Sequence, residues 1–463
     1  MQELIKIQEP AAMESGIFPS LAPNQLALWR EAENILFVDG GAEKSTGVQE
    51  LHSVGGTIVA LAQAYVEGDQ RAYFGKADTL YKWEESTGEL ILRTGFAGER
   101  WSLVPWGTWL LAVNGVDKPQ IWKNGAALSM VDWPNVPVAA QAAKIVRKLA
   151  NRPILFAGQE MFWPRATDIE YWTVPDPTGN AGSLPFRDLD SDVMAVEPFG
   201  EQLALYTENK MGFVSFIGGT SVYGFKVRLE GIGALSINAV IPVGAFHYGM
   251  SRDGIWRTDG SSFSYIDQPA VNRYLDGLID PDEVESVVGV HAKDKSMVQW
   301  FFTDLNGTRR GLGFNYKAGS WHALKMPVTA AAPQEAFYKP LVALGPNFGL
   351  YDTGTDLGPA VMSSRLLSSP FNADTAERYK WWDMVEVNVR KVGNVEVRFG
   401  LHKHEVFGDD PNDEWTAWMP LEKINWVQRE AVYLTMEIRS LSSSTAYRIG
   451  GLSVHGEPAG WVQ

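Results

Sequence analysis

The sequence predicts an all-β protein: a six- or seven-bladed β-propeller followed by a C-terminal β-sandwich. Three observations carry this. An aromatic-rich strand, a tight turn with Gly or Asn, and an alternating strand recur at intervals of roughly forty residues, the period of propeller blades. Aromatic residues make up 12% of the chain and Gly numbers 45, a mixture suited to strands and tight turns, and charged residues at 21% are too few for disorder. Towards the C-terminus strict period-two alternation replaces the blade pattern, as in strands half buried in a sandwich.

The first 25 residues carry Pro10, Pro19 and Pro23 among small residues and are expected to form an extended arm. Residues 26–360 are assigned to the propeller. Strands are expected at 35–38 and 47–51, then blade-like units at about 57–94, 101–132, 143–173, 193–230, 237–268 and 284–324. The clearest repeat runs from Gly254 through Trp256 to Gly260, with Phe263–Ile266 as its alternating strand. Residues 336–353 form a partial seventh unit, and rings of this kind are often closed by pairing N- and C-terminal strands in one blade. The span Pro175–Pro185 is expected to be a long loop, and Pro269–Ile279 a short helix with Val271, Tyr274, Leu275 and Leu278 at helical spacing. Residues 361–374 are expected to form a linker and 375–463 the sandwich, with 457–463 as a tail. The aromatic residues fall at the same place in each unit, and Trp122, Trp256 and Trp321 are expected to be mostly buried between adjacent sheets.

At 463 residues the chain exceeds the size at which one core keeps growing, so a large repeat domain plus a smaller module is expected. The absence of cysteine excludes disulfides and thiolate chemistry and fits folding in a reducing cytoplasm. No basic start with an apolar run and no stretch of about 18 apolar residues appears, so neither signal peptide nor membrane anchor is expected. The net charge of −15 and a densest basic run of only Lys144, Arg147 and Lys148 argue against a nucleic-acid grip.

Candidate chemistry is sparse. His402 and His404 lie two apart in a strand and could face one way toward a metal, with His455 as a remote third ligand; two solvated histidines is the stronger reading. Asp188, Asp190 and Asp192 alternate like calcium-loop ligands, but Val193 stands where the loop needs Gly and Phe199 where it needs Glu, so a solvated acidic loop is expected. Asp280, Asp282, Glu283 and Glu285 read as a solvated turn. Ser251–Trp256 and the Asp409–Trp415 stretch come near sialidase-type turns without their spacing. Asn306-Gly307-Thr308 reads as a hairpin turn. No Gly-x-Ser-x-Gly turn, phosphate loop or His-Glu-x-x-His helix is present. No catalytic, cofactor-binding or metal-binding residue is therefore assigned.

The order of features is similar to the β-propeller proteins of phage tails: nozzle or tail-tube components of short-tailed phages and related head–tail plugs. The residues that carry the resemblance are Gly40-Gly41, Asn151–Phe156, Trp163–Trp172, Asp192–Val196, Phe199–Leu205, Gly231–Ser236, Tyr248–Gly260 with the helix at Ala270–Leu278, and the sandwich with Asp409-Asp410 and Trp415. These motifs are structural, recognisable as an ensemble and weak singly. The resemblance implies a non-enzymatic virion protein made in the host cytoplasm. It implies a homo-oligomeric ring, with a hexamer favoured, around a DNA channel, contacting other tail or connector proteins without gripping the genome. An acidic or neutral wall suits rapid DNA passage. The alternative is a carbohydrate-active or carbohydrate-binding propeller.

Overall fold

The computed structural model describes residues 29–38, 41–98, 100–124, 129–174, 176, 180–219, 221–267, 271, 275, 278–372, 378–404 and 413–461. The expected arm at 1–25 and Asp409-Asp410 lie outside the described residues. Of the expected helix at 269–279, only Val271, Leu275, Leu278 and Ile279 are described, and Val271 and Leu275 are helical.

Seven four-stranded antiparallel units surround one axis, which resolves the blade count. Blades 1 to 6 occupy residues 60–94, 102–132, 145–185, 195–230, 240–265 and 288–324; blade 7 takes three strands from 330–351. Their innermost strands stand side by side in that order, and Ala330–Ala332 closes back onto Ala60–Val66. The fourth strand of blade 7 is Val48–Ser53, which pairs with Asn347–Tyr351. Chain ends far apart in sequence thus complete one sheet, leaving no open gap in the ring. Tight hairpins set the meander: Glu67 and Gly68 both have positive φ, 55° and 99°, as a two-residue turn between strands of right-handed twist requires.

The blades are held by cores between neighbouring sheets. Trp122 packs with Tyr73 and Leu80 of blade 1, Trp256 with Tyr206 of blade 4, and Trp321 with Tyr248 and Trp300 between blades 5 and 6. All three expected tryptophans are buried, with Trp256 at 0% exposure. Aromatic burial supplies large apolar area, while each indole N–H still needs an acceptor. Trp256 Nε1 finds one in the Gly233 carbonyl at 2.8 Å.

The domain boundaries differ from those expected. Trp29–Glu33 and Ser364–Ser368 pair within one sheet of the sandwich, alongside Tyr433–Ser440 and Glu396–His402. Ile35–Val38 and Gly41–Lys44 belong to the other sheet, with Ala446–Trp461, Arg378–Val392 and Ile424–Ala431. Residues 29–44 are thus sandwich rather than propeller, and 364–368 is a strand rather than linker. The reason is burial: Trp29, Ile35, Phe37 and Ala42 fill a core with Trp382, Val385, Val397 and Phe399 that the C-terminal strands alone leave open. The expected tail continues as strand to Trp461, paired with Arg378. The loop expected at 175–185 ends in a strand, Gly182–Pro185, that completes blade 3.

The two domains share a sheet. Glu33 pairs in parallel with Ala323 of the outermost strand of blade 6, so that blade runs on into the sandwich without a break. Among the described residues no helix is long and apolar enough to cross a membrane.

Candidate functional site

In a meandering blade, the link from each fourth strand to the next first strand returns to the same face of the ring. Here all seven links converge on one mouth of the central axis. Thr57 and Val59, Arg100 and Trp101, Lys144, Asp192–Met194, Ser236–Asn238, Glu283, Glu285, Ser286, Val288 and Thr329 line it. The mouth holds two adjoining cavities of about 250 and 400 Å³.

An ion pair spans this mouth. Arg100, on the link between blades 1 and 2, lies 3.6 Å from Glu283 and 4.0 Å from Glu285. Both acids sit on the 3-10 turn Pro281–Ser286 before blade 6, three blades away around the ring. Asp280 starts that turn by accepting from the Asp282 amide. Arg309 lies beneath, donating to Ser286, Thr303 and the Val328 carbonyl. Burial pushes its pKa down to about 10, helped by Arg100 and opposed by Glu283. Arg309 therefore acts as a brace between links.

Further along the axis, Arg147 of blade 3 donates to the Val196 carbonyl and pairs with Glu197 of blade 4 at 2.7 Å. Burial raises the Glu197 pKa, with Arg147 opposing. At the opposite end Lys148 stands over the Trp106 ring at 5.7 Å. Its pKa is lowered by burial, against an upward pull from Glu335 of blade 7. The basic run of the sequence is thus dispersed along the axis rather than gathered as a patch. Because Arg100 meets Glu283 and Glu285, side chains bridge the axis at its mouth.

Glu283 and Glu285 share one turn and one guanidinium, instead of flanking a sugar bond from two sides. In the chain these acids read as a solvated turn, because their partner Arg100 lies 183 to 185 positions away.

The other candidates do not converge. His402 is buried, not solvated: Nδ1 meets the His404 carbonyl at 2.6 Å, Nε2 meets Thr435 at 2.9 Å, and the ring stacks on Tyr433. His404 is exposed, and His455 lies on the other sheet, 3.8 Å from Glu386. Asp190 accepts from Thr207, Asp192 lines the mouth, and Lys210 reaches the Asp188 carbonyl, so the three aspartates serve separate ends. Among the described residues no three His, Asp or Glu side chains are grouped as a metal site. Asn306-Gly307-Thr308 forms the expected turn, with Asp304 accepting from the Asn306 and Thr308 amides. Asp253 stays exposed, and Asp267 accepts from Ile255 N–H.

No family model matches the chain, and no curated protein does. Solved structures are similar at low identity. The WD40 β-propeller domain of Doa1 is 9% identical, covering 65% of this chain and 95% of that one, with a TM-score of 0.42. The computationally designed Ika8 protein is 11% identical over 66% of this chain and 99% of its own, with a TM-score of 0.40. PorZ, a component of the type-IX secretion system of Porphyromonas gingivalis, is 10% identical over 71% of this chain and 43% of its own, with a TM-score of 0.39.

Proposed function

We propose that this chain is a structural, non-enzymatic protein of a bacteriophage tail, a nozzle or tail-tube component or a head–tail plug. Several copies, with a hexamer favoured, form a ring around the DNA path and serve genome retention and ejection. The observation that carries this reading is the sheet continuing from blade 6 through Trp29–Glu33 into the sandwich. A hydrogen-bonded sheet across a domain junction resists bending far better than a linker, which suits a part loaded by packaged DNA. The crossed axis fits a conduit built between copies rather than through one propeller. A net charge of −15 gives passing phosphates few partners.

Negative-stain imaging of the purified protein, with immunogold labelling of virions, tests the reading. Rings of subunits and label at the tail are expected. A persistent monomer that is absent from virions would overturn it, as would tight, salt-sensitive binding to duplex DNA.

A further inference from the structure

Three neighbouring strands of the sandwich, Ile424–Ala431, Arg378–Val392 and Ala446–Trp461, build a face away from its core. Their register sets three rows. Trp381 stands between Glu430 and Glu457; Met384 stands between Trp426 and His455; Glu386 stands between Ile424 and Ser453. Paired residues in an antiparallel sheet point to the same side, and the alternating Val385, Val427 and Val454 fill the core beneath. The two indoles are 42% and 54% exposed.

Exposed tryptophan is costly unless something covers it. The sandwich shows the contrast on its other sheet, where Arg398 lies 4.1 Å over Trp415 and 4.5 Å over Trp418, and Arg439 lies 3.7 Å over Trp418. Those rings are already stacked. Among the described contacts, neither Trp381 nor Trp426 carries a cation or another ring on its face.

We propose that this face, centred on Trp381 and Trp426, is a binding platform for a neutral glycan chain. The nine positions of the three rows hold three carboxylates and no Lys or Arg, and with the exposed Arg429 between Trp426 and Glu430 counted the face still carries more acid than base, which disfavours phosphorylated or sulfated ligands. The same acids oppose a second copy laid face to face, since Glu430 and Glu457 would meet like charge. What fits is a ligand with apolar ring faces to lie on indole and a rim of hydroxyls to donate to carboxylates. The indoles sit on adjacent strands, about 5 Å apart across the sheet and roughly 7–10 Å apart along it, so successive sugar rings of one chain can meet both. Glu430 and Glu457 flank the first ring, while Glu386 lies beside the second. Among the described contacts no further aromatic ring closes over either indole, unlike the enclosing aromatic cage that selects a compact cation.

The proposal stands apart from the virion reading and is tested on the full chain by affinity electrophoresis in gels containing galactomannan, xyloglucan, dextran or glycol chitin. At least one polymer is expected to retard the wild type. Trp381→Ala and Trp426→Ala should each weaken that binding at least tenfold, Trp426→Phe should retain most of it, and Tyr65→Ala on the propeller should leave it unchanged. The proposal is overturned if none of these polymers retards the wild type, or if both alanine variants bind like it. Mass photometry covers the protein-partner outcome: if Trp426→Ala shifts the assembly state and spares glycan binding, the face is a self-association surface and the proposal fails.

Discussion

The side-chain amide of Asn34 donates to the Ser363 carbonyl at 2.8 Å, pinning the start of the sandwich to the strand that leaves the propeller. Asn34 is buried at φ 55°, its Oδ1 accepts from the Lys325 amide at 2.7 Å, and its own N–H reaches the Ala323 carbonyl. One residue thus joins blade 6, both sandwich entries and a left-handed backbone turn that Asn tolerates better than most residues.

Asn34→Ala should therefore cost about 2–4 kcal/mol, from lost buried hydrogen bonds and the left-handed conformation. Asn34→Gly should cost less by about 1 kcal/mol, because it keeps the backbone at ease. Urea unfolding measures both; equal stability of Asn34→Ala and the parent would remove the junction role.

Trp256 faces Gly249 across its blade, where a methyl group would overlap the indole ring. Trp256→Ala should cost about 3–5 kcal/mol through lost burial and a cavity. Gly249→Ala should also destabilise, and the two changes together should cost less than their sum, since removing the indole relieves the overlap. Additive losses in thermal melting would contradict this packing.

The Arg100 pair is exposed and long, so Arg100→Ala should change stability by less than about 1 kcal/mol. A large loss in chemical unfolding would show that the mouth is a structural clamp.

His322 is fully buried beside Phe37, and neither ring nitrogen has a hydrogen-bond partner among the described residues. Burial holds its pKa down to about 3; His247, bonded to Tyr206 and the Pro198 carbonyl, is held down to about 4. The unfolded chain binds these protons near pH 6.5 while the fold does not. Stability from both groups is full above that pH and falls on acidification toward 4, by up to about 1.4 kcal/mol per unit for each. His322→Leu should flatten the fall in melting temperature between pH 7 and 4.5. An unchanged slope would assign the acid sensitivity elsewhere.

His402 is held by Thr435 and the His404 carbonyl, so a chelator should leave the melting temperature within a degree or so of its starting value. A drop of several degrees would reveal a metal.

The repeat of aromatic strand and turn was legible without coordinates because its causes are local: alternation, turn residues and indoles at a fixed blade position. Trp122 and Trp256 stand on the third strand of their blades and follow from that pattern, whereas Trp321 stands on the fourth strand of blade 6 and is buried there with Tyr248 and Trp300. Ile35–Val38 reads as a short apolar strand, yet nothing local says which sheet it or Trp29–Glu33 joins; only the unfilled core around Trp382 and Phe399 decides it. The axial mouth was illegible for the same reason. Arg100 and Glu283 look like ordinary surface charges in the chain, and become one site because ring closure brings seven distant links to a common axis. Sequence determined what each segment prefers to be, since propensity and period act over a few residues; tertiary structure decided what each segment meets, since burial is shared among segments hundreds of residues apart.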